Sequence, residues 1–225
     1  MMPAFTRYRP SGYAGVVLSD TPYAYYKLDE TSGTVMHDSS GNGRNGTFSG
    51  SSAPASGIVT GSSTSRQFTG GYASASFNMV GWTACALEAW VNVPSAAGSG
   101  SPTSIIGSGS PNIGWDHPNS AFRDAMALYV GSWSSTPLGA SNGVIVHVGL
   151  DWDGTTLRAY LNGSQVSSVA VSGSIGDVSP NSNSFVVAAN QANGTGPLAC
   201  TVGHAAFYHH SLSAARWAAH YAAGH

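Results

Sequence analysis

The sequence predicts an all-β protein: a two-sheet antiparallel sandwich of jelly-roll type with one short C-terminal helix. Three observations point there. Short segments of alternating apolar and polar residues recur along the chain, separated by Asp-Gly and Asn-Gly pairs that favour tight hairpin turns. Helix-favouring charged residues are scarce, with lysine present once and glutamate twice. Six tryptophans, ten tyrosines and repeated Val/Ile/Leu runs supply a core, although 29 glycines and abundant Ser and Thr lower the mean hydropathy of the loops.

The elements follow in order. Residues 1–19, with Pro3, Pro10, Gly12 and Gly15, read as an arm or lead-in, and residues 20–225 as the domain. AYYKL (24–28) is the first strand candidate; Gln67–Phe68 and Ala73–Phe77 are short ones. ALEAWVNV (86–93) alternates: Leu87, Ala89, Val91 and Val93 share one face, Glu88, Trp90 and Asn92 the other, and Pro94 ends it. Ser104–Gly107 and Ala125–Val130 follow, flanking a long loop over 107–122. VIVHVGLDW (144–152), Leu157–Leu161 and Gln165–Val171 form a meander whose turns are Asp153-Gly154 and Asn162-Gly163. Phe185–Ala189 and Ala199–Tyr208 complete the strands. SLSAARWAAHYA (211–222) is the helix, with Ser213 as N-cap and Gly224 as its stop. Trp90 and Trp152 lie in regular strands and are expected to pack in the core.

Composition excludes several function classes. Only 8 % of the 225 residues are charged and the formal net charge is −2, so there is no basic footprint for nucleic acid. No run approaches the length of a membrane helix, and MMPAFTRYRPSGYAG lacks the apolar stretch of a signal peptide. Cys85 and Cys200 each sit in an apolar run; they read as buried, inert thiols, and a disulfide between them is left open.

Several segments, in this order, resemble one family. AYYKLDETSGTVMHDSSGNGRNGTFSG is similar to the opening of laminin-G-like, concanavalin A-like jelly-roll domains, ALEAWVNV to their Glu-Ala-Trp-Val strand, HVGLDWDGTTLRAYLNGSQV to their hairpin, and TVGHAAFYHHSLSAARWAAHYAAG to their closing strand and helix. The resemblance implies a concanavalin A-like sandwich and two readings of DSSGNGRNGT (38–47). Its glycines permit positive φ where the chain doubles back, which is a purely structural role. Alternatively the loop holds calcium, with Asp38 and Asn42 as ligands. The family's closing Asp-Glu pair is Gly203–His204 here, which removes a carboxylate and leaves a histidine that suits a hard cation poorly.

No catalytic set emerges. Paired carboxylates of the glycosidase kind need two acids flanking the bond, and the family's Glu-x-Asp-x-x-Glu strand has no counterpart in a chain whose glutamates are Glu30 and Glu88. Asp151 and Asp153 run into a turn that explains them. No Gly-x-Ser-x-Gly elbow is present, and the adjacent His209 and His210 point to opposite faces of a strand. The expectation is a binding protein, not an enzyme. Sugar-binding candidates are the rim residues: Trp115, Asp116, His117 and Asn119 in the 107–122 loop, Trp133, and Asn190, Gln191 and Asn193, which pair aromatic faces with planar polar groups. Stand-alone domains with a lead-in like VVLSDTPYAYYKLDE resemble minor tail or decoration proteins of tailed bacteriophages. That resemblance implies synthesis in a host cytoplasm without a signal peptide, a place on the virion surface, and virion structural proteins, further copies of itself or host-surface glycans as partners. An architectural cement subunit that binds no sugar and an orphan bacterial lectin are the alternatives.

Overall fold

A computed structural model of the chain describes residues 11–95, 103–107, 109–115, 124–178 and 184–225. Among these, in chain order, lie α1 (Gly12–Ser19), β1 (Ala24–Tyr26), β2 (Val35–Met36), β3 (Gly46–Ser49), β4 (Ser52–Ser56), β5 (Thr64–Phe68), β6 (Tyr72–Ser76), β7 (Cys85–Asn92) and β8 (Ser104–Gly107). They are followed by β9 (Asn112–Gly114), β10 (Ala125–Val130), β11 (Ser132–Pro137), β12 (Ile145–Trp152), β13 (Thr156–Leu161), β14 (Ser164–Ala170), β15 (Ser184–Val187), β16 (Cys200–Tyr208) and α2 (Ala214–Gly224). The strands form two antiparallel sheets of eight. One runs β14-β13-β12-β7-β16-β5-β4, with β1 added on β16; the other runs β11-β10-β9-β8-β15-β6-β3-β2. The all-β sandwich read from the sequence is the observed fold.

Between the sheets lies an apolar core that includes Met36, Phe68, Leu87, Val91, Leu150, Trp152, Phe185 and Phe207. Alternation delivers it: Leu87, Ala89 and Val91 of β7 point inward, and Trp152 donates its indole N–H to the Val171 carbonyl at 2.8 Å. The opposite face of β7 is closed as well. Tyr13, Val17, Tyr25, Trp90, Tyr160, Tyr208 and Trp217 form a second cluster there, under α1 and α2. Gly149 of β12 makes this possible, because a Cβ at that position would lie 2.3 Å from Cζ3 of Trp217.

Two expectations change at the chain's two ends. Within the stretch read as an arm or lead-in, residues 12–19 are a helix and bury Tyr13 and Val17 to 2 % and 0 % exposure. The packing therefore takes in residues on the arm side of position 19. Ser213 caps α2 as expected, its side chain accepting from the Arg216 N–H. The helix nevertheless runs through Gly224, where a Cβ would meet the Trp90 ring at 2.6 Å; close packing, not a helix stop, requires that glycine. The sequence reading also passes over the short β2, β3 and β9, the last inside the stretch 107–122 read as loop, and over β4 (SAPAS) and β11 (SWSSTP). β4 and β11 contain many small or polar residues and are largely exposed, so neither shows a strong apolar alternation.

Cys85 and Cys200 are free and buried, and burial pushes both thiols upward, which makes them poor nucleophiles. No helix among the described residues is long and apolar enough to cross a membrane.

Candidate functional site

The loop after β2 is built around Asp38. One of its carboxylate oxygens accepts the backbone N–H of Tyr25 (3.1 Å) and of Ser40 (2.9 Å), and the other that of Arg44 (2.9 Å). The Asp38 N–H donates to Oδ1 of Asn45 at 2.9 Å. Burial alone raises this carboxyl, but the hydrogen bonds from Ser40, Arg44 and Tyr25 outweigh it and hold Asp38 below the ordinary carboxylate value. Gly41 and Gly43 adopt φ of 87° and 72°, which lets the chain fold back over the acid. Asp38 is the one carboxylate of this loop. Both of its oxygens accept N–H bonds, and the Asn42 amide nitrogen donates to the carbonyls of Pro22 and Tyr23, each at 3.1 Å. His204 is left-handed (φ 55°) at a bulge in β16, and its ring is held between the hydroxyls of Tyr25 (2.5 Å) and Ser62. Among the described residues no three His, Cys, Asp or Glu side chains are placed to hold a metal ion.

The loop so fixed forms one wall of a cleft of about 380 Å³. Thr21, Pro22 and Tyr23 form its floor, Ser40, Asn42 and Arg44 one wall, and Leu18, His209 and His210 the other. The Arg44 guanidinium lies 3.7 Å above the Tyr23 ring and donates to the Tyr23 carbonyl at 3.2 Å. His209 stacks on Trp82 with centroids 3.7 Å apart, and Trp82 packs edge-on against Tyr23 at 4.9 Å. The volume is that of a small-ligand site, and the walls mix aromatic surface with hydroxyl, amide and cationic donors.

The strand registers divide the residues singled out from sequence between the two ends of the sandwich. At one end, Trp115 follows β9 and Asn190 follows β15, with the Ser104 hydroxyl donating to Asn190 at 3.4 Å. At the other lie the Asp38 loop, His209 and Trp133. Trp115 is not a rim aromatic. It is 1 % exposed in the inter-sheet core and donates its indole N–H to Asn142 at 2.8 Å. Asp116, His117 and Asn119 lie outside the described residues. Trp133 is exposed (44 %) and packs on Tyr129 at the turn joining β10 and β11, on the sheet edge opposite β2 and β3. In the 190–196 loop, the Asn190 N–H donates to the carbonyls of Thr195 and Gly196, while the Asn193 side chain accepts from the Thr195 N–H; Gln191 is half-buried there. Sequence reasoning missed Arg44, Tyr23 and Thr21 as site residues. The available signal was a single cation within a glycine-rich loop.

A second polar assembly lies sealed beneath the helices. Glu88, 0 % exposed, accepts from the hydroxyls of Tyr13 (2.9 Å) and Tyr208 (2.5 Å), and lies 2.8 Å from both His147 Nε2 and His220 Nδ1. The opposite nitrogen of His220 reaches Asp20 at 2.6 Å, and Asp20 also takes two bonds from Arg216. Burial alone would raise Glu88, yet His220 and His147 hold it far below the usual carboxylate range. Burial alone would lower His220, yet Glu88 and Asp20 raise it. Glu88, His147 and His220 are buried, and through Asp20 and Arg216 the assembly ties the two helices to the sheet.

Residues 67–216 match the model of the concanavalin A-like lectin/glucanases superfamily. Among solved structures, domain 4 of the extracellular GH43 arabinanase AbnA from Geobacillus stearothermophilus, determined with arabinotriose, is similar at TM-score 0.67 and 18% identity, over 89% of this chain and 98% of that one. The binding domain of Paraclostridial Mosquitocidal Protein 1 is similar at TM-score 0.68 and 11% identity, covering 91% of this chain and 52% of that one. The binding domain of botulinum neurotoxin DC, determined with rat synaptotagmin II, is similar at TM-score 0.66 and 11% identity, with the same coverage of 91% and 52%. The chain thus spans about half the length of the two toxin domains, and at these identities the likeness is one of fold. A search of curated proteins returns no match. On the extent of the family match, and on the sandwich that accompanies it, the chain belongs to the concanavalin A-like lectin/glucanases superfamily.

Proposed function

We propose that this protein is a non-catalytic, lectin-like module that binds host-surface glycans in the cleft between the Asp38 loop and His209–His210, and that it is borne on a bacteriophage particle as a minor tail or decoration protein. The cleft carries the reading. It is large enough for a sugar unit (about 380 Å³), its loop wall is pinned by Asp38, and it offers Ser40, Asn42 and Arg44 beside apolar Leu18, Pro22 and Tyr23. Sugars are held by this combination of apolar contact and planar hydrogen-bonding groups. The virion setting rests on the resemblance of the lead-in sequence to phage structural proteins. The test is binding of the isolated protein to a glycan array and to host envelopes, beside a Ser40→Trp variant that fills the cleft. Binding by the parent, unchanged by chelator and lost in Ser40→Trp, supports the reading. Binding retained by the filled variant moves the site elsewhere, and antibody labelling that misses intact particles removes the virion assignment.

A second reading, an architectural subunit that cements neighbours without sugar, draws on Val144, Ile145 and Val166, apolar residues each about half exposed (47–49 %). Under it, charged replacements at these three positions abolish incorporation into particles while Ser40→Trp does not.

A further inference from the structure

The electrostatics of the cleft narrow the ligand class. Of the arginines in the described residues, Arg158 pairs with Asp151 and Asp153, and Arg216 pairs with Asp20. Arg66 lies over the Phe48 ring, 6 % exposed, and is bonded to Ser52. Arg44 differs from all three. It is half-buried in the wall of an open cleft, and among the described residues no carboxylate pairs with it. The acid of its own loop, Asp38, has both oxygens occupied by backbone N–H groups, and Asp20, adjacent to Thr21 of the floor, is bound by Arg216 and His220. The lining contains no acidic residue, although acids outnumber lysine and arginine in the chain as a whole. His209 and His210, which follow β16, line the same cleft and add imidazole nitrogens.

Arg44 is also preorganised. Stacking on Tyr23 and a single bond to the Tyr23 carbonyl fix the guanidinium plane while leaving most of its N–H donors unused. A fixed guanidinium loses little freedom on binding and matches the fork of a carboxylate or phosphate. Across the same wall Asn42 is already committed as a donor, and the Ser40 hydroxyl accepts from the Asn42 N–H at 3.2 Å. That leaves the Asn42 side-chain carbonyl to meet a sugar hydroxyl, the Ser40 hydroxyl hydrogen being given to Asp38.

We propose that the cleft selects saccharides carrying an anionic group, a carboxylate or a phosphate ester, with Arg44 as the anchor of that group. This rests on the glycan-binding reading of the cleft and goes further by naming the charge of the ligand.

The experiment is titration calorimetry of the intact protein with three probes matched in size: a glucuronate-terminated disaccharide, the neutral glucose-terminated disaccharide, and the same neutral sugar bearing a phosphate ester. Inorganic phosphate serves as competitor. The parent is expected to bind at least one acidic probe on the order of tenfold tighter than the neutral one, the signature of one added charge-assisted contact. Arg44→Gln is expected to bring that ratio to about one, with Arg44→Lys recovering part of it. Unchanged thermal unfolding of both variants excludes loss of the loop. The stronger acidic probe identifies carboxylate or phosphate as the source, and competition by inorganic phosphate supports an anion pocket. Equal binding of acidic and neutral probes overturns this inference and leaves the glycan reading standing. An acidic preference that survives Arg44→Gln overturns the role of Arg44. Binding of none of the three sugars overturns both.

Discussion

The two faces of β7 and β12 are both closed to water, by opposite means. The inner face is closed by shape: Leu87, Val91, Leu150 and Trp152 meet the other sheet with few polar atoms to satisfy. The outer face is closed by chemistry as well, since Glu88 and His147 are carried into a dry interface and matched there with Tyr13, Tyr208 and His220. An apolar face tolerates rearrangement at modest cost, whereas a buried charge needs every partner in place. The helices are therefore seated by a set of hydrogen bonds that admits one arrangement, and the sandwich itself by packing.

The largest effect should come from breaking the ionic face at its centre. Glu88→Ala leaves His220 and two tyrosine hydroxyls without their acceptor, and is expected to cost about 3–5 kcal/mol in urea unfolding. Leu150→Ala, on the inner face, should cost about 2–5 kcal/mol but leave hydrogen exchange in α1 and α2 protected, which Glu88→Ala should not.

The pH profile sharpens the contrast. Glu88 titrates below its unfolded value, so its contribution is complete above about pH 4.3 and is lost as pH falls through the folded value. His220 titrates above its unfolded value, so its contribution is complete below about pH 6.5 and is lost as pH rises through the folded value. His204 behaves oppositely to His220: burial lowers it to about 4, so its neutral form is required and stability falls as pH drops from about 6.5 towards 4. Urea midpoints across pH 4–9 should show His220→Asn closing its gap to the parent at alkaline pH, and His204→Asn flattening the acid limb.

How much of this was legible in the sequence follows the same division. The inner face was open to reading, because alternation in ALEAWVNV and VIVHVGLDW needs only neighbours in sequence to identify it. The family's ordered segments likewise fixed the sandwich. The outer face was not legible. Glu88 was visible as a lone acid on the second face of its strand, but Tyr13 is 75 residues before it and His220 is 132 after it, and only helix docking unites them. Trp115 failed for a related reason: a tryptophan in a polar loop resembles a sugar platform until Asn142, 27 residues later, is found to satisfy its indole N–H. The glycine loop was readable as a turn, whereas Arg44 became a candidate anchor only once the acids around it were seen to be occupied.

Smaller substitutions test the helix seating more gently. Gly149→Ala pushes a methyl group into the Trp217 ring and should cost about 1–3 kcal/mol, as overpacking generally does. Ser213→Ala removes the cap of α2 and should cost about 1 kcal/mol; both are read from thermal melts. If either exceeds the Glu88→Ala effect, the helices are held by packing after all, and the distinction between the faces disappears.

Arg216 and His220 both bind Asp20 and thereby join α1 to α2, across 196 and 200 residues. That junction has a mechanical meaning. A load applied to the chain on the far sides of these two helices would be borne first by the clasp between them, and the strand ladders would feel tension only after it had parted.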